Sequence, residues 1–256
     1  MAVVKTSGDD DQSHVRRPRT KYQRVVLKIS GEGLCRAGHR GIDGEELQRI
    51  SNEIKLVADL GVQLAVVVGG GNIVRGDTLA AEAPIDVVTG HYMGMLSTVI
   101  NALAVQDALE ATGVATRVQS AVAVDRVCEK FIRRRAMRHL EKGRVVIFAG
   151  GTGNPFVTTD SAGALRASEI GADVVLKATK VDGVYAADPV QDPSAELFEH
   201  LTYDQVIDQR LEVMDVAAID LCRRNGIPII VFNLKLPGHM RAVVEGQRIG
   251  TLIDAG

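Results

Sequence analysis

Apolar residues fall along this chain in two rhythms. Short, nearly unbroken runs at 24–29, 64–68, 114–118, 144–149, 173–177, 227–232 and 251–253 are rich in β-branched residues and too short for helices. They predict buried strands. Between them lie stretches at helical spacing. The first runs to about residue 60, with Leu47, Ile50, Ile54 and Val57 on one face. Asp43 is its expected N-cap, Glu46 the partner in a capping box, and Gly61 the residue just past its end. Further helices are expected over 92–110, 129–141, from Thr158 or Thr159 to about 170, over 211–224 and over 237–245. Continuous apolar strands alternating with helices predict an α/β fold. It is a three-layer sandwich around a mainly parallel central sheet, covered on both faces.

In such folds ligands sit beyond the carboxyl ends of the strands, and the glycines concentrate at those ends. The strand at 64–68 runs into Gly69, Gly70, Gly71 and Asn72, and the strand at 144–149 into Gly150, Gly151, Thr152, Gly153, Asn154 and Pro155. The first strand turns at Ser30 and Gly31. Glycine frees the backbone to take positive φ and to approach an anion closely. Two such loops suit two phosphate-bearing ligands, or one long one.

Composition narrows the classes. A chain of 256 residues with 46% hydrophobic content can bury a full core, and its formal net charge of -2 argues against a nucleic-acid partner. Residues 1–21 are polar, with Asp9, Asp10 and Asp11 ahead of Arg16, Arg17, Arg19 and Lys21. They are expected to form a disordered leader, and residues 22–256 a single domain. The leader lacks the apolar stretch of a secretory signal, and no apolar run reaches the roughly 20 residues of a membrane helix. Cys35, Cys128 and Cys222 form no disulfide or metal pattern. They read as free thiols in a reducing cytoplasm.

Lys28 carries the most chemistry of any single residue. It lies inside an apolar strand and by alternation points away from the face of Leu27 and Ile29. One reading is an edge-strand lysine reaching solvent. The other is an ammonium that neutralises a transferring phosphoryl group. Arg75, shortly after the first glycine loop, adds a planar phosphate donor. The segment 152–160 gathers hydroxyls, an amide and the carboxylate of Asp160 at the start of a helix, where the dipole favours phosphate. Asp160 is either an ordinary first-turn acid or the group that holds lysines in place. Lys177 and Lys180 are placed to meet a polyphosphate and Tyr185 to stack on a base. The basic residues Arg133, Arg134, Arg135 and Arg138 read as a solvated helix face. A P-loop, a dinucleotide fingerprint and the protein-kinase motifs are all absent from the sequence.

Together the segments LKISGE (27–32), VVGGGNIVRG (67–76), YMGML (92–96), GTGNPFVTTDS (151–161), ADVVLKATKVDGVYAAD (172–188), VMDVA (213–217) and GTLI (250–253) resemble the bacterial uridylate kinases of the amino acid kinase superfamily. The resemblance implies transfer of the ATP γ-phosphoryl group to UMP, with Mg²⁺ carried as Mg-ATP; the alternatives are a kinase of the same superfamily acting on carbamate or an amino-acid carboxylate, and a nucleotide-sensing regulatory protein. The resemblance also implies a homohexamer, with GTP as activator and UTP as inhibitor. Carried over residue by residue, Lys28, Ile29, Ser30, Gly31, Gly71 and Arg75 match the ATP phosphate turn. Thr179, Tyr185 and Asp188 match the ATP base and ribose region. Gly70 and the stretch Thr152, Gly153, Asn154, Pro155, Phe156, Val157, Thr158 and Thr159 match the UMP loop. Lys28, Arg75 and Asp160 match the catalytic groups. Arg36, Ala37, Gly38, His39, Arg40 and Gly41 fall where the family has its GTP contacts. One departure stands out. His91 occupies the position of the family's ribose-binding aspartate, and the loop before it, 76–90, is one residue longer. A neutral imidazole is expected to accept the ribose hydroxyl bond there.

Overall fold

The computed structural model describes residues 20–189, 191, 192 and 194–256. The expected leader lies outside the described residues apart from Thr20 and Lys21, and the N–H of Lys21 donates to the Val244 carbonyl at 3.0 Å. Among the described residues, β1 (Arg24–Ile29), α1 (Gly44–Ala58), β2 (Gln63–Val68), α2 (Gly76–Glu82), α3 (Val87–Ala111), β3 (Thr116–Ser120), β4 (Glu129–Lys130), α4 (Arg133–Glu141), β5 (Val145–Ala149), α5 (Thr159–Ile170) and β6 (Val174–Thr179) come first. Then follow β7 (Val184–Tyr185), β8 (Leu197–Phe198), β9 (His200–Thr202), α6 (Tyr203–Asp208), α7 (Val216–Asn225), β10 (Ile229–Asn233), α8 (His239–Val244) and β11 (Thr251–Asp254).

The main sheet has the order β4-β3-β5-β2-β1-β6-β10-β11-β9, and β7 pairs with β8 in a separate hairpin. Every pairing in the main sheet is parallel except that of β10 with β11. The period-two alternation sorts the strand residues cleanly. Val25, Leu27, Leu64, Val66, Ile147 and Leu176 face one layer with residues of α1, α3 and α8. Val26, Ala65, Val67, Val146, Phe148 and Val175 face the other, with α4, α5 and α7. Burial of both faces is why these strands are apolar throughout rather than alternating.

The structure corrects several sequence expectations. Asp43 does cap α1, accepting from the N–H groups of Glu45 and Glu46 at 3.0 and 3.1 Å. The box does not close. The Asp43 N–H donates to Leu34 O at 2.8 Å, and the Glu46 carboxylate accepts from Arg49 instead. α3 starts five residues before position 92, at Val87, because Asp86 caps it through Val88 and Thr89. Residues 129 and 130 extend along β3 as β4, so the basic helix begins only at Arg133. α7 likewise begins only at Val216, after its cap Asp215.

The two glycine loops use glycine for different reasons. Gly150, Gly151 and Gly153 take φ of 73°, 57° and 84°, the left-handed region. In the first loop the need is close approach. A Cβ on Gly69 would lie 2.7 Å from Gly31 N, and one on Gly31 would lie 2.8 Å from Gly71 N. The turns after β1 and β2 therefore interlock backbone to backbone. Gly69→Ala is expected to lower unfolding free energy by roughly 1–3 kcal/mol through overpacking, read from urea denaturation. A change within about 0.5 kcal/mol would mean that the loops are not locked together.

Candidate active site

β1 and β6 are neighbours, and their register sets Lys28 beside Lys177. Both side chains point to the α5 face of the sheet, where α5 presents Asp160 in its first turn. Lys28 Nζ lies 2.6 Å from Asp160 Oδ1, and Lys177 Nζ donates to Oδ2 at 2.5 Å. One carboxylate thus sits between two buried ammonium groups, and the cluster carries a net positive charge. Burial pushes the Asp160 carboxyl up, but the two lysines more than offset this and hold it below the usual carboxylate range. Burial, and then the charge of Lys28, push Lys177 down to about 8, although Asp160 pulls the other way. Of the two sequence readings for Lys28 and Asp160, the geometry favours the lysine-holding one.

The start of α5 is fixed from α7. Thr158 caps the helix, its Oγ1 accepting from Asp160 N and Ser161 N at 3.1 and 3.2 Å. Its hydroxyl donates to Asp215 Oδ2, and Ser161 Oγ donates to Oδ1 of the same carboxylate at 2.8 Å. Asp215 also caps α7 through Ala218 N. Two N–H groups of the α5 N-terminus are therefore already paired. The charge offered to an anion here comes from the lysines more than from the helix end. Sequence reading found the segment 213–217 but gave Asp215 no role. A cap signal before a helix says nothing about a second helix that the same carboxylate reaches.

α3 pins both glycine loops. Asn101 donates to Gly69 O at 2.7 Å and exchanges hydrogen bonds with Asn72, which also donates to Gly41 O at 2.7 Å. Thr98 Oγ1 accepts from Gly150 N at 2.7 Å. Neither Thr98 nor Asn101 was singled out from the sequence. Their signal was there, as polar residues inside an apolar helix.

Among the described residues, hollows open along the carboxyl edge of the sheet. One, of about 460 Å³, takes Gly70, Gly71, Arg75, Asp77, His91, Thr98, Gly151, Thr152, Asn154, Val157, Thr158 and Thr159 into its wall. The expected acceptor residues Gly153, Pro155 and Phe156 do not line it. Phe156 instead projects outward, 70% exposed, with φ of 65°. A second hollow, of about 360 Å³, is lined by Arg36, Gly38, His39, Arg40, Glu32, Gly71, Arg75 and Lys180 among others. Arg75 lines both, and it is ion-paired with Glu32, which also lies 3.7 Å from Lys180. A small recess of about 20 Å³ includes Ile29, Ser30, Thr179 and Lys180. The Thr179 hydroxyl is bonded to the carbonyls of Val181 and Phe232. Tyr185 sits on the β7–β8 hairpin, and neither it nor Asp188 lines any of these three hollows.

His91 lies in the wall of the 460 Å³ hollow. Its Nδ1 accepts from the Phe156 N–H at 3.4 Å, and the two rings pack at 4.8 Å. Nε2 lies 3.0 Å from Asp77 Oδ1. Both ring nitrogens thus face protein groups.

Comparison with known proteins agrees with this architecture. Residues 23–233 match the amino acid kinase family. A uridylate kinase from Methylococcus capsulatus is 56% identical over 92% of this chain and 98% of its own length. One from Paramagnetospirillum magneticum is 56% identical over 91% and 97%. Among solved structures, the UMP kinase of Bacillus anthracis superposes with a TM-score of 0.88 at 40% identity, covering 91% of this chain and 96% of its own. That of Ureaplasma parvum gives 0.84 at 35% identity, covering 91% and 98%. With a family match across most of its length and relatives this similar, the chain belongs to the amino acid kinase family.

Proposed function

We propose that this protein is a UMP kinase, transferring the γ-phosphoryl group of ATP to UMP to give ADP and UDP, reversibly, in pyrimidine nucleotide synthesis. The observation that carries the reading is the Lys28–Asp160–Lys177 cluster, which lies outside the lining of the 460 Å³ hollow but whose Asp160 directly follows two residues of its wall, Thr158 and Thr159. Its likeness to uridylate kinases over nearly the whole chain supports the choice of acceptor.

In this mechanism an oxygen of the UMP phosphate attacks the γ-phosphorus. A new P–O bond forms as the bond to the β-phosphate oxygen breaks, and ADP leaves with that electron pair. Lys28 and Lys177 offset the charge on the equatorial oxygens, and Arg75, in the wall of the 460 Å³ hollow, adds a planar guanidinium donor for phosphate. Asp160 holds the two ammonium groups apart and aimed. Ile29, Ser30, Gly31 and Gly71 cradle the ATP phosphates, while Thr179, Tyr185 and Asp188 serve the adenosine. Gly70, Thr152, Asn154, Val157, Thr158 and Thr159 receive UMP, with Gly153, Pro155 and Phe156 shaping that loop from outside the hollow.

Magnesium enters as part of Mg-ATP. Among the described residues no group of three or more His, Cys, Asp or Glu is placed to hold a metal. Both Asp160 oxygens face lysines, so the nucleotide phosphates are the fitting ligands. GTP as activator would act at Arg36, Ala37, Gly38, His39, Arg40 and Gly41. This segment is tied to the first glycine loop through the Asn72–Gly41 bonds. UTP as inhibitor would compete in the UMP hollow. Tyr92, Leu96 and Ile100, a stripe on α3 that is 46%, 47% and 49% exposed, suit contact between copies of this chain, and the assembly proposed is a homohexamer. A cytoplasmic location completes the proposal. No helix among the described residues is long and apolar enough to cross a membrane.

The activity itself is tested by ATP consumption against UMP, CMP, dTMP, aspartate and carbamate. UMP is expected to exceed CMP in kcat/KM by roughly tenfold or more, because an amino group in place of a carbonyl leaves a buried partner mispaired at about 1–3 kcal/mol per bond. Equal use of UMP and CMP, or turnover only with a carboxylate or carbamate, would overturn the assignment.

A second expectation concerns pH. With Lys177 at about 8 in the folded chain against 10.5 as its ordinary value, the unfolded chain binds a proton between those limits that the folded chain does not. Its contribution to stability therefore rises as pH increases from about 8 towards 10.5. Its charge in the site is lost as pH rises through about 8. kcat/KM is expected to fall as pH rises through about 8, and Lys177→Arg to abolish that limb because a guanidinium does not titrate there. The same limb in Lys177→Arg would assign it to another group.

A further inference from the structure

Asp77 has no part in the mechanism above, yet its placement is specified by the fold. α2 and the start of α3 meet through glycine: a Cβ on Gly76 would lie 2.6 Å from Gly90 O, and one on Gly90 would lie 2.6 Å from Gly76 O. This contact brings Asp77 to His91. Nδ1 of His91 takes the Phe156 N–H, so in the neutral ring the hydrogen sits on Nε2. Nε2 is buried and makes no well-aligned hydrogen bond, but Asp77 Oδ1 lies 3.0 Å away. The carboxylate therefore leans on the imidazole at one oxygen, and the Asp77 side chain is otherwise 83% exposed. It lines the acceptor hollow, and it is the sole carboxylate among the described residues that do so.

A carboxylate in a nucleotide pocket repels the phosphate and must face hydrogen-bond donors. Uracil offers one N–H flanked by two carbonyls, so a carboxylate facing that edge would set oxygen against oxygen. A ribose offers two adjacent hydroxyls, which match the two oxygens of a carboxylate. We propose that Asp77, oriented by His91, reads the ribose diol of the acceptor nucleotide and sets the preference for ribo- over deoxyribonucleotides. His91 is then a positioning residue, not a ribose ligand. The inference rests on the UMP kinase reading.

The test is calorimetric binding of UMP, 2′-deoxy-UMP and 3′-deoxy-UMP to the natural chain, to Asp77→Ala, to His91→Ala and to the double variant. Thermal melts would check that each is folded. The natural chain is expected to favour UMP over at least one deoxynucleotide by roughly tenfold, as for a hydrogen bond to a charged acceptor. In Asp77→Ala that ratio should fall to about one, through weaker UMP binding with the deoxynucleotide affinity kept. His91→Ala should reduce the ratio partway and add nothing once Asp77 is gone, since the two act as a unit. A natural chain that binds UMP with a ratio unchanged in Asp77→Ala would overturn this inference and leave the kinase reading standing. A natural chain that binds none of the three would remove the kinase reading, and the inference with it.

Discussion

Two lysines on adjacent parallel strands, sharing one carboxylate, set the requirement that the rest of this molecule meets. Like charges this close repel, and burial raises the cost of each. Asp160 offsets one charge and leaves one over. The surplus is held in a site walled by the sheet and α5, and it is best relieved by an anion arriving from the open carboxyl edge. Two ammonium groups held against one carboxylate are therefore a site prepared for phosphate. The depression of Lys177 to about 8 reflects that tension.

Such a cluster works only if the backbone around it does not move. β1 and β6 fix the lysines by register, and Asp215 ties the start of α5 to α7. α3 fixes the glycine loops through Asn101 and Thr98, and the turns after β1 and β2 are interlocked by close glycine contact. The two glycine loops are therefore positioned by the same sheet edge and the same long helix. That arrangement suits catalysis by positioning and charge, where little covalent chemistry is asked of the protein.

The strands buried on both faces were legible because their pattern is simple. β1, β2 and β5 fall within a residue of expectation. β3 was misplaced by two residues because it buries Thr116, Gln119 and Ser120, polar groups that no hydropathy pattern would put in a central strand. β9 and α6 were missed for a related reason, being short and mostly polar. Lys28 and Asp160 were legible since a lysine in an apolar strand and an acid in a first helical turn are local signals. Their meeting with Lys177 was not, since register decides it. His91 shows the limit most clearly. Its identity was plain, but its contact with Asp77 depends on the Gly76–Gly90 approach, which joins residues fourteen positions apart in the chain.

The central claim is that Asp160 serves phosphoryl transfer by organising two lysines and is more than a first-turn acid. Asp160→Asn tests it most directly, with turnover, UMP affinity and melting temperature measured on the same preparation. Lys177 already releases its proton near pH 8, so the variant can relieve the lost carboxylate by shedding that proton. The fold is then spared and the charge needed at the γ-phosphoryl group is lost. The account predicts turnover reduced by roughly 10² or more in a chain that still melts cooperatively and binds UMP within several-fold of normal. A loss of activity that merely follows the unfolded fraction, and returns when the assay is cooled, would contradict it.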